Sequence, residues 1–326
     1  MSLFDKLLNN KCVKKLIKLF KCENKLLKAV DFSFVDGLFE KNKRSKRGKK
    51  KQYLPSQLLK LCLEAFQKGR TSAKSIERYV KEPLVKILHE LTGYVSHDVI
   101  SRFFISLQEV IKDIFNKLVK VARKLGIFYP GLSQVIDGTD LPTIFLSDKD
   151  AKWSYDSTAK KFYFGYGLLI SIDPFTHLPV AGRLTKAKKI NKEDCKEVLE
   201  QGIVLKPSAF VGDSEFDIIK ILENLLLQNI LLIAPYNKRN SHEELDIEFR
   251  AEQYGFDRNW MKEESVYRSE VEHSISTLKE HFHLLDFHVK GWKKVETHVM
   301  FVLCLRLLHG IATFKEGKNP RKVTLI

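Results

Sequence analysis

The sequence predicts an α/β half built on a mixed sheet, with an antiparallel meander and a parallel βαβ unit, preceded by an all-α region. Three observations carry this reading. Up to about residue 125 the apolar residues recur at helical spacing. From Gly126 the period changes to that of strands, and after Ala209 short apolar strands alternate with a helical pattern. A chain of 326 residues, 44% hydrophobic, can bury a sizeable core and is expected to form two unequal domains.

Residues 1–40 repeat Leu7, Leu8, Val13, Leu16, Ile17 and Phe20 with lysines between, a basic amphipathic pattern that a partner helix, a DNA backbone or a membrane surface can accept. Residues 41–52 form a linker whose run Lys41–Lys51 holds no apolar residue. It is solvated, and Lys46, Arg47 and Lys50 are candidate phosphate contacts that carry affinity without reading sequence. In residues 53–128 Pro55 suits a helix start, Gly69 a stop, and Ser72 or Ser75 opens the next helix. Pro83 and Gly93 break the chain, and Ser96 caps a helix through Arg102, Phe103 and Leu107 into residues 110–125. Such helices fit a helix-turn-helix-like DNA-binding module, as they fit any small bundle, and the N-terminal half is expected to bind DNA by itself.

In residues 129–314 the first strand, QVIDGTDL from Gln134, ends on an acid. KKFYFGYGLLISID and LPVAGRLTKA follow as an antiparallel pair turned by Asp173 to Pro179. Asn191 caps a helix, and the strand Ala209 to Val211 reaches Gly212 and Asp213. A helix from Phe216 to Leu227 and a strand from Ile230 to Ala234 complete the parallel unit. Residues 235–260 read as loop. A single helix spans Val266 to Phe282, an apolar helix from Val295 to Phe314 covers the sheet, and the tail 315–326 reads as loose.

Charge narrows the function. With 56 Lys+Arg against 40 Asp+Glu the net charge is +16, which favours a polyanion: nucleic acid or an acidic membrane face. The apolar runs 225–234 and 299–308 fall short of the ~20 residues a bilayer needs, and Arg306 interrupts the second. No membrane span is expected. The lysines scattered through the first 20 residues argue against a secretory signal, so a cytoplasmic protein is expected. Five cysteines without CxxC spacing read as reduced structural thiols with no zinc signature.

The chemistry centres on three acids. Asp137 and Asp213 follow strands that, as neighbours, bring their carboxylates together at a cleft. On the Val266–Phe282 helix, Arg268, Glu272 and Lys279 fall within about 40° of one another at 100° per residue, beside the stripe Val271, Ile275, Leu278 and Phe282. Glu270 points about 160° away from Glu272 and is assigned to solvent, where exchange to Gln is expected to be nearly silent. Three converging carboxylates repel unless a divalent cation sits among them, and oxygen-only ligands favour Mg2+ or Mn2+ over zinc. Two such ions suit in-line phosphoryl transfer. Asp140, Asp173, Glu215 and Asp217 are bystanders in the same neighbourhoods. Trp153 is a candidate for stacking on an unpaired base or for ordinary packing, and Lys160 and Lys161 are candidate DNA contacts. The histidines, His177 and His273 among them, read as surface or packing residues.

IDGTDL, KKFYFGYGLLISID, Asn191 to Asp194, VGDSEFD, IAPYNKRN and YRSEVEHSISTLKEHFHL together resemble the successive blocks of insertion-sequence DDE transposases, over about Gln134 to Leu308. The most specific block is Arg268, three residues, Glu272, six residues, Lys279. The resemblance implies a ribonuclease-H-like catalytic domain without a long insertion before Glu272. It implies that Asp137, Asp213 and Glu272 bind two Mg2+ or Mn2+ ions and that Arg268 and Lys279 contact phosphates of the element's end. The implied partners are double-stranded DNA, as terminal inverted repeats and target, and further copies of the chain in a homodimer or higher assembly on it. A DNA-binding derivative that no longer cuts, and a metal-dependent nuclease without strand transfer, remain open alternatives.

Overall fold

The computed structural model describes residues 25–42, 52–91, 93–156, 160–186, 192–237, 252 and 255–323. Lys46, Arg47, Lys50, the amphipathic residues before Lys25 and the Asn191 cap lie outside the described residues.

The helical region contains α1 (Lys25–Lys28), α2 (Ser33–Lys41), α3 (Pro55–Gln67), α4 (Ala73–Val80), α5 (Pro83–Leu88), α6 (His97–Leu107) and α7 (Ile111–Lys124). Their starts follow local chemistry. Pro55 and Pro83 occupy first turns, where a missing N–H costs nothing. Ser72 and Ser96 accept hydrogen bonds from the backbone N–H of Ser75 and Val99. The last two helices were expected to run together, but α6 ends at Leu107 and α7 begins at Ile111, with Val110 as its cap. A buried polar cluster ties α3 to the next two helices. Glu64 binds His89 at 2.6 Å and accepts from the Tyr79 hydroxyl at 2.9 Å. Burial acts to raise the Glu64 pKa, but these bonds, the charge on His89 and that on Lys68 outweigh it and bring it to about 2.

Among the described residues six strands form one sheet: β1 (Gln134–Pro142), β2 (Lys152–Asp156), β3 (Lys161–Ile172), β4 (Pro179–Thr185), β5 (Ala209–Val211) and β6 (Leu231–Ile233). β1 lies antiparallel to β3, which pairs on its far edge with β4 along one half and with β2 along the other. β5 joins β1 in parallel and β6 joins β5 in parallel. The order β4, β3, β1, β5, β6 is that of a ribonuclease-H-like sheet. β2 is an addition that the reading of KWSYDS did not foresee, because five residues with two exposed aromatics give too short an alternation to separate from loop.

Period-2 alternation gives the sheet two faces. Ile136, Phe210 and Leu232 face α8 (Lys192–Ile203) and α9 (Ile219–Leu226). Val135, Val211 and Ile233 face the opposite way, toward α12 (Trp292–Lys315). Between β6 and α12 lie α10 (Arg258–Val266) and α11 (Arg268–His281). The helix expected as one piece from Val266 is therefore broken at Tyr267, and α10 begins inside the stretch read as loop and runs beyond it to Val266, its start capped by Asp257 through Trp260 N at 2.7 Å. α12 is long and apolar enough to cross a membrane, and it is buried in the protein along nearly its whole length.

That burial joins the N-terminal helices to the sheet region through one core. α12 packs against α7, β4, α1, α6 and α11. Phe301 on α12 lies 4.6 Å from Phe66 of α3 and 5.6 Å from Phe104 of α6, ring centre to ring centre. One continuous apolar cluster runs from Leu26 to Ala312, so the N-terminal helices complete their core with a helix from the far end of the chain. The tail is likewise docked. Arg306, 1% exposed on α12, turns Nη2 of its buried guanidinium to the carbonyls of Thr176, Pro320 (3.1 Å) and Arg321, while Nε and Nη1 have no hydrogen-bond partner among the described residues. Burial lowers its pKa to about 10.

Because the core is shared, Phe301→Ala is expected to cost about 3–5 kcal/mol and to lower the stability of both regions together. Urea unfolding followed by tryptophan fluorescence, whose reporters Trp153, Trp260 and Trp292 all lie in the C-terminal half, and by far-UV helicity should give one shifted transition. Two separate transitions would show that the helical region folds on its own.

Candidate active site

Register places two of the three acids. The parallel β1–β5 ladder pairs Gln134 with Phe210 and Val135 with Val211. Asp137 and Asp213 each follow that last pair by two residues, so they lie side by side and point to the same face as Val135 and Val211. Asp137 is not at the end of its strand, as the sequence reading had it. β1 continues to Pro142 against β3, with Asp137 opposite Ile170, and it is only the ladder to β5 that stops before it. Gly212 permits the turn after β5: a Cβ there would meet the Phe216 ring at 2.7 Å. Asp213 Oδ1 accepts from Glu215 N at 2.8 Å and caps the short 3₁₀ turn Ser214–Phe216.

α11 covers this face. Val271, Ile275 and Leu278 are buried in the main core, and the helix packs against β1 and β3. Arg268 and Glu272 are exposed and Lys279 is half-buried. Burial is the main cause that raises the Asp137 pKa to about 6; the charges of Asp213 and Glu272 push the same way, while the Gly138 N–H (2.7 Å) and Arg268 oppose them. The three acids and Arg268 thus share one electrostatic neighbourhood. As they stand, among the described residues, no three such side chains close around a single point. Asp137 and Asp213 each turn an oxygen to a backbone N–H instead, as repelling carboxylates do.

The hairpin residues are elsewhere. Trp153 is 65% exposed, with its ring 5.4 Å from Phe164, and Lys160 and Lys161 are exposed beside it. Phe164, opposite Trp153, lies six residues along β3 from Ile170, so the hairpin is about 20–30 Å from Asp137. The bystander acids have structural partners: Asp140 accepts from Tyr163 OH (2.6 Å), Asp217 from Asn237 N (2.8 Å), and Asp173 from Phe175 N and Thr176 N.

Glu270 departs from its assignment to solvent. Its Oε2 lies 2.6 Å from His177 Nε2 and 2.9 Å from Arg321 Nη2. Burial lowers the His177 pKa, and the carboxylate, an acceptor only, takes the Nε2–H of the ring. The helix-phase argument placed Glu270 correctly away from Glu272, but the tail and the β3–β4 turn occupy that side. The signal available was His177 itself, in a turn beside a predicted strand pair.

The pattern of the transposase DDE domain family matches residues 132–308, 177 of the chain's 326 residues. Two relatives from strains of Halobacterium salinarum, described as probable transposases for insertion sequence element ISH11, are each 28% identical over 304 residues, 90% of this chain and 90% of theirs. Among solved structures, the piggyBac transposase synaptic complex with hairpin DNA aligns over 92% of this chain and 75% of its own at 11% identity and a TM-score of 0.43. The Drosophila P element transposase strand transfer complex aligns over 84% and 68% at 10% identity and 0.30.

Asp137 yields a prediction with a definite sign. Its folded pKa of about 6 exceeds the ordinary 3.8, so the stability linked to its proton is full below 3.8 and is lost as pH rises through 6. Asp137→Asn should therefore stabilise the protein at pH 8, by on the order of 1–3 kcal/mol, with the gain fading between pH 6 and 4. Thermal midpoints at pH 8 and pH 4.5 check this; an unchanged midpoint at pH 8 would mean the carboxylate is well solvated. With the family pattern covering more than half of its length, this chain belongs to the transposase DDE domain family, and its function is that of a DNA transposase.

Proposed function

We propose that the chain cleaves DNA ends and joins them to target DNA by phosphoryl transfer at Asp137, Asp213 and Glu272, with these acids holding two divalent cations, Mg2+ or Mn2+. The observation that carries this reading is the equal offset of Asp137 and Asp213 beyond the Val135–Val211 pair, with Glu272 near enough to raise the Asp137 pKa. The donor set fits hard cations: three carboxylates, no thiol and no imidazole. Bound there, the ions would neutralise phosphate charge and activate the attacking oxygen.

The chain's own residues supply positioning. Arg268, one helical turn before Glu272, is exposed beside the acids and suits a phosphate oxygen next to the cut. Lys279 continues the line two turns further along α11. On this reading Trp153, Lys160 and Lys161 meet DNA away from the cut, and the helical region 53–128 with Lys46, Arg47 and Lys50 binds the terminal inverted repeats. The partner is double-stranded DNA, bound by a homodimer or higher assembly, in the cytoplasm at the nucleoid.

Two experiments test it. Glu272→Gln keeps size and removes charge, so it should abolish nicking of a plasmid carrying the DNA that flanks the gene, while binding to that DNA persists. Wild-type nicking should need Mg2+ or Mn2+ and be poorly supported by Ca2+. Nicking in excess chelator ends the metal reading; nicking without joined products leaves a nuclease, and binding without nicking leaves an inactive derivative. In the second, Arg268→Ala and Lys279→Ala should each lower the slope of log affinity against log salt by about 0.9, the effect of one lost phosphate contact. Unchanged slopes would remove these residues from the DNA surface.

A further inference from the structure

The face of α11 turned away from Glu272 is held at several points, and all of them belong to the β3–β4 turn or the C-terminal segment. Tyr267, Glu270 and Ser274 follow one another at helical spacing and share that face. The Tyr267 ring packs 5.1 Å from Phe175, and Ser274 Oγ donates to the His177 carbonyl at 3.1 Å. Glu270 Oε2 takes both His177 Nε2 at 2.6 Å and Arg321 Nη2 at 2.9 Å. The turn is built to hold still. Asp173 Oδ1 accepts from Phe175 N, Thr176 N and Thr176 Oγ1, and its carbonyl accepts from His177 N at 2.9 Å. His177 itself sits at φ +55°, a conformation that a non-glycine residue adopts under constraint. Behind the turn, buried Arg306 binds the Thr176 carbonyl together with those of Pro320 and Arg321, so one guanidinium joins the turn and the tail that grip Glu270.

This turn is the direct continuation of β3, the strand whose Ile170 pairs with Asp137. The rotation of α11 about its axis is thereby referred to the same strands that carry the first acid. We propose that Glu270, clamped between His177 and Arg321, is a positioning residue that fixes the phase of α11 so that Glu272 stays directed to the side of Asp137 and Asp213. A side-chain tip about 5–6 Å from the helix axis moves by about 2 Å for a 20° rotation. Mg2+ demands near-ideal geometry at about 2.0–2.1 Å, so it does not tolerate that displacement. The proposal rests on the reading of the three acids as cation ligands.

The test uses the full-length protein without DNA and titrates Mn2+, following the free ion by electron paramagnetic resonance. Glu270→Ala and Arg321→Ala should weaken Mn2+ binding about tenfold, the size seen when a partner behind a metal ligand is removed. Glu270→Gln, which keeps an oxygen for both partners, should recover most of the affinity. Helicity and duplex affinity should stay at wild-type values in all three. Asp137→Asn, which lacks a ligand, serves as reference. If Asp137→Asn binds Mn2+ poorly while Glu270→Ala and Arg321→Ala bind it normally, Glu270 is only a packing contact, even if the thermal midpoint falls, and the positioning role is overturned. If Asp137→Asn binds as tightly as wild type, the cation reading has failed and takes the proposal with it.

Discussion

The short parallel ladder between β1 and β5 is the constraint on which the site depends. It ends at Val135 and Val211, and both chains then run on for two residues to an acid. Parallel pairing gives the two aspartates the same offset and the same facing, so no loop has to find them. The cost is electrostatic: two carboxylates side by side, one of them half-buried, with a third on the covering helix. The protein carries that cost as a raised Asp137 pKa and as bonds from each aspartate to a backbone N–H. Stability given up in this way at a group without a packing role marks Asp137 as a candidate functional residue.

Everything else that surrounds the ladder serves to hold it against α11. α12 covers the sheet face that the acids share, and the N-terminal helices complete α12's other side through Phe66 and Phe104. A region that the sequence divides by a basic linker is therefore continuous in its core. Arg306 shows the same economy of parts: a buried cation in an apolar helix is costly, and the acceptors that offset part of that cost, through Nη2 alone, are the turn and the tail that also hold Glu270.

Much of this was legible in the sequence because it depends on local rules. The strand Ala209–Val211 was bounded correctly, and the meander and final helix were placed to within a few residues, since alternation and apolar runs set them. The helix phase separated Glu272 from Glu270 on geometry that any regular helix obeys. What the pattern did not carry was non-local. Glu270's partners come from 93 and 51 residues away, and no spacing rule links a turn histidine and a tail arginine to one carboxylate. The break at Tyr267 escaped because Tyr267 stays in right-handed helical geometry and no glycine or proline marks it. The place of Asp137 within β1 was misread because it interrupts an apolar run, and an acid inside a strand reads as the strand's end.

β3 gives the molecule a scale. Its 12 residues begin at the exposed hairpin with Lys161 and end beside Asp137, so one strand connects the basic, aromatic tip to the acids. The separation of about 20–30 Å corresponds to about six to nine steps along a DNA strand at about 3.4 Å each. A group at the tip cannot reach a phosphate held at the acids. If both belong to one bound duplex, Trp153, Lys160 and Lys161 act on a different stretch of it, and β3, paired with β2 at the tip and on both edges nearer the acids, sets the distance between them. The two ends of β3 therefore differ in charge: acids gather at one, lysines and exposed rings at the other.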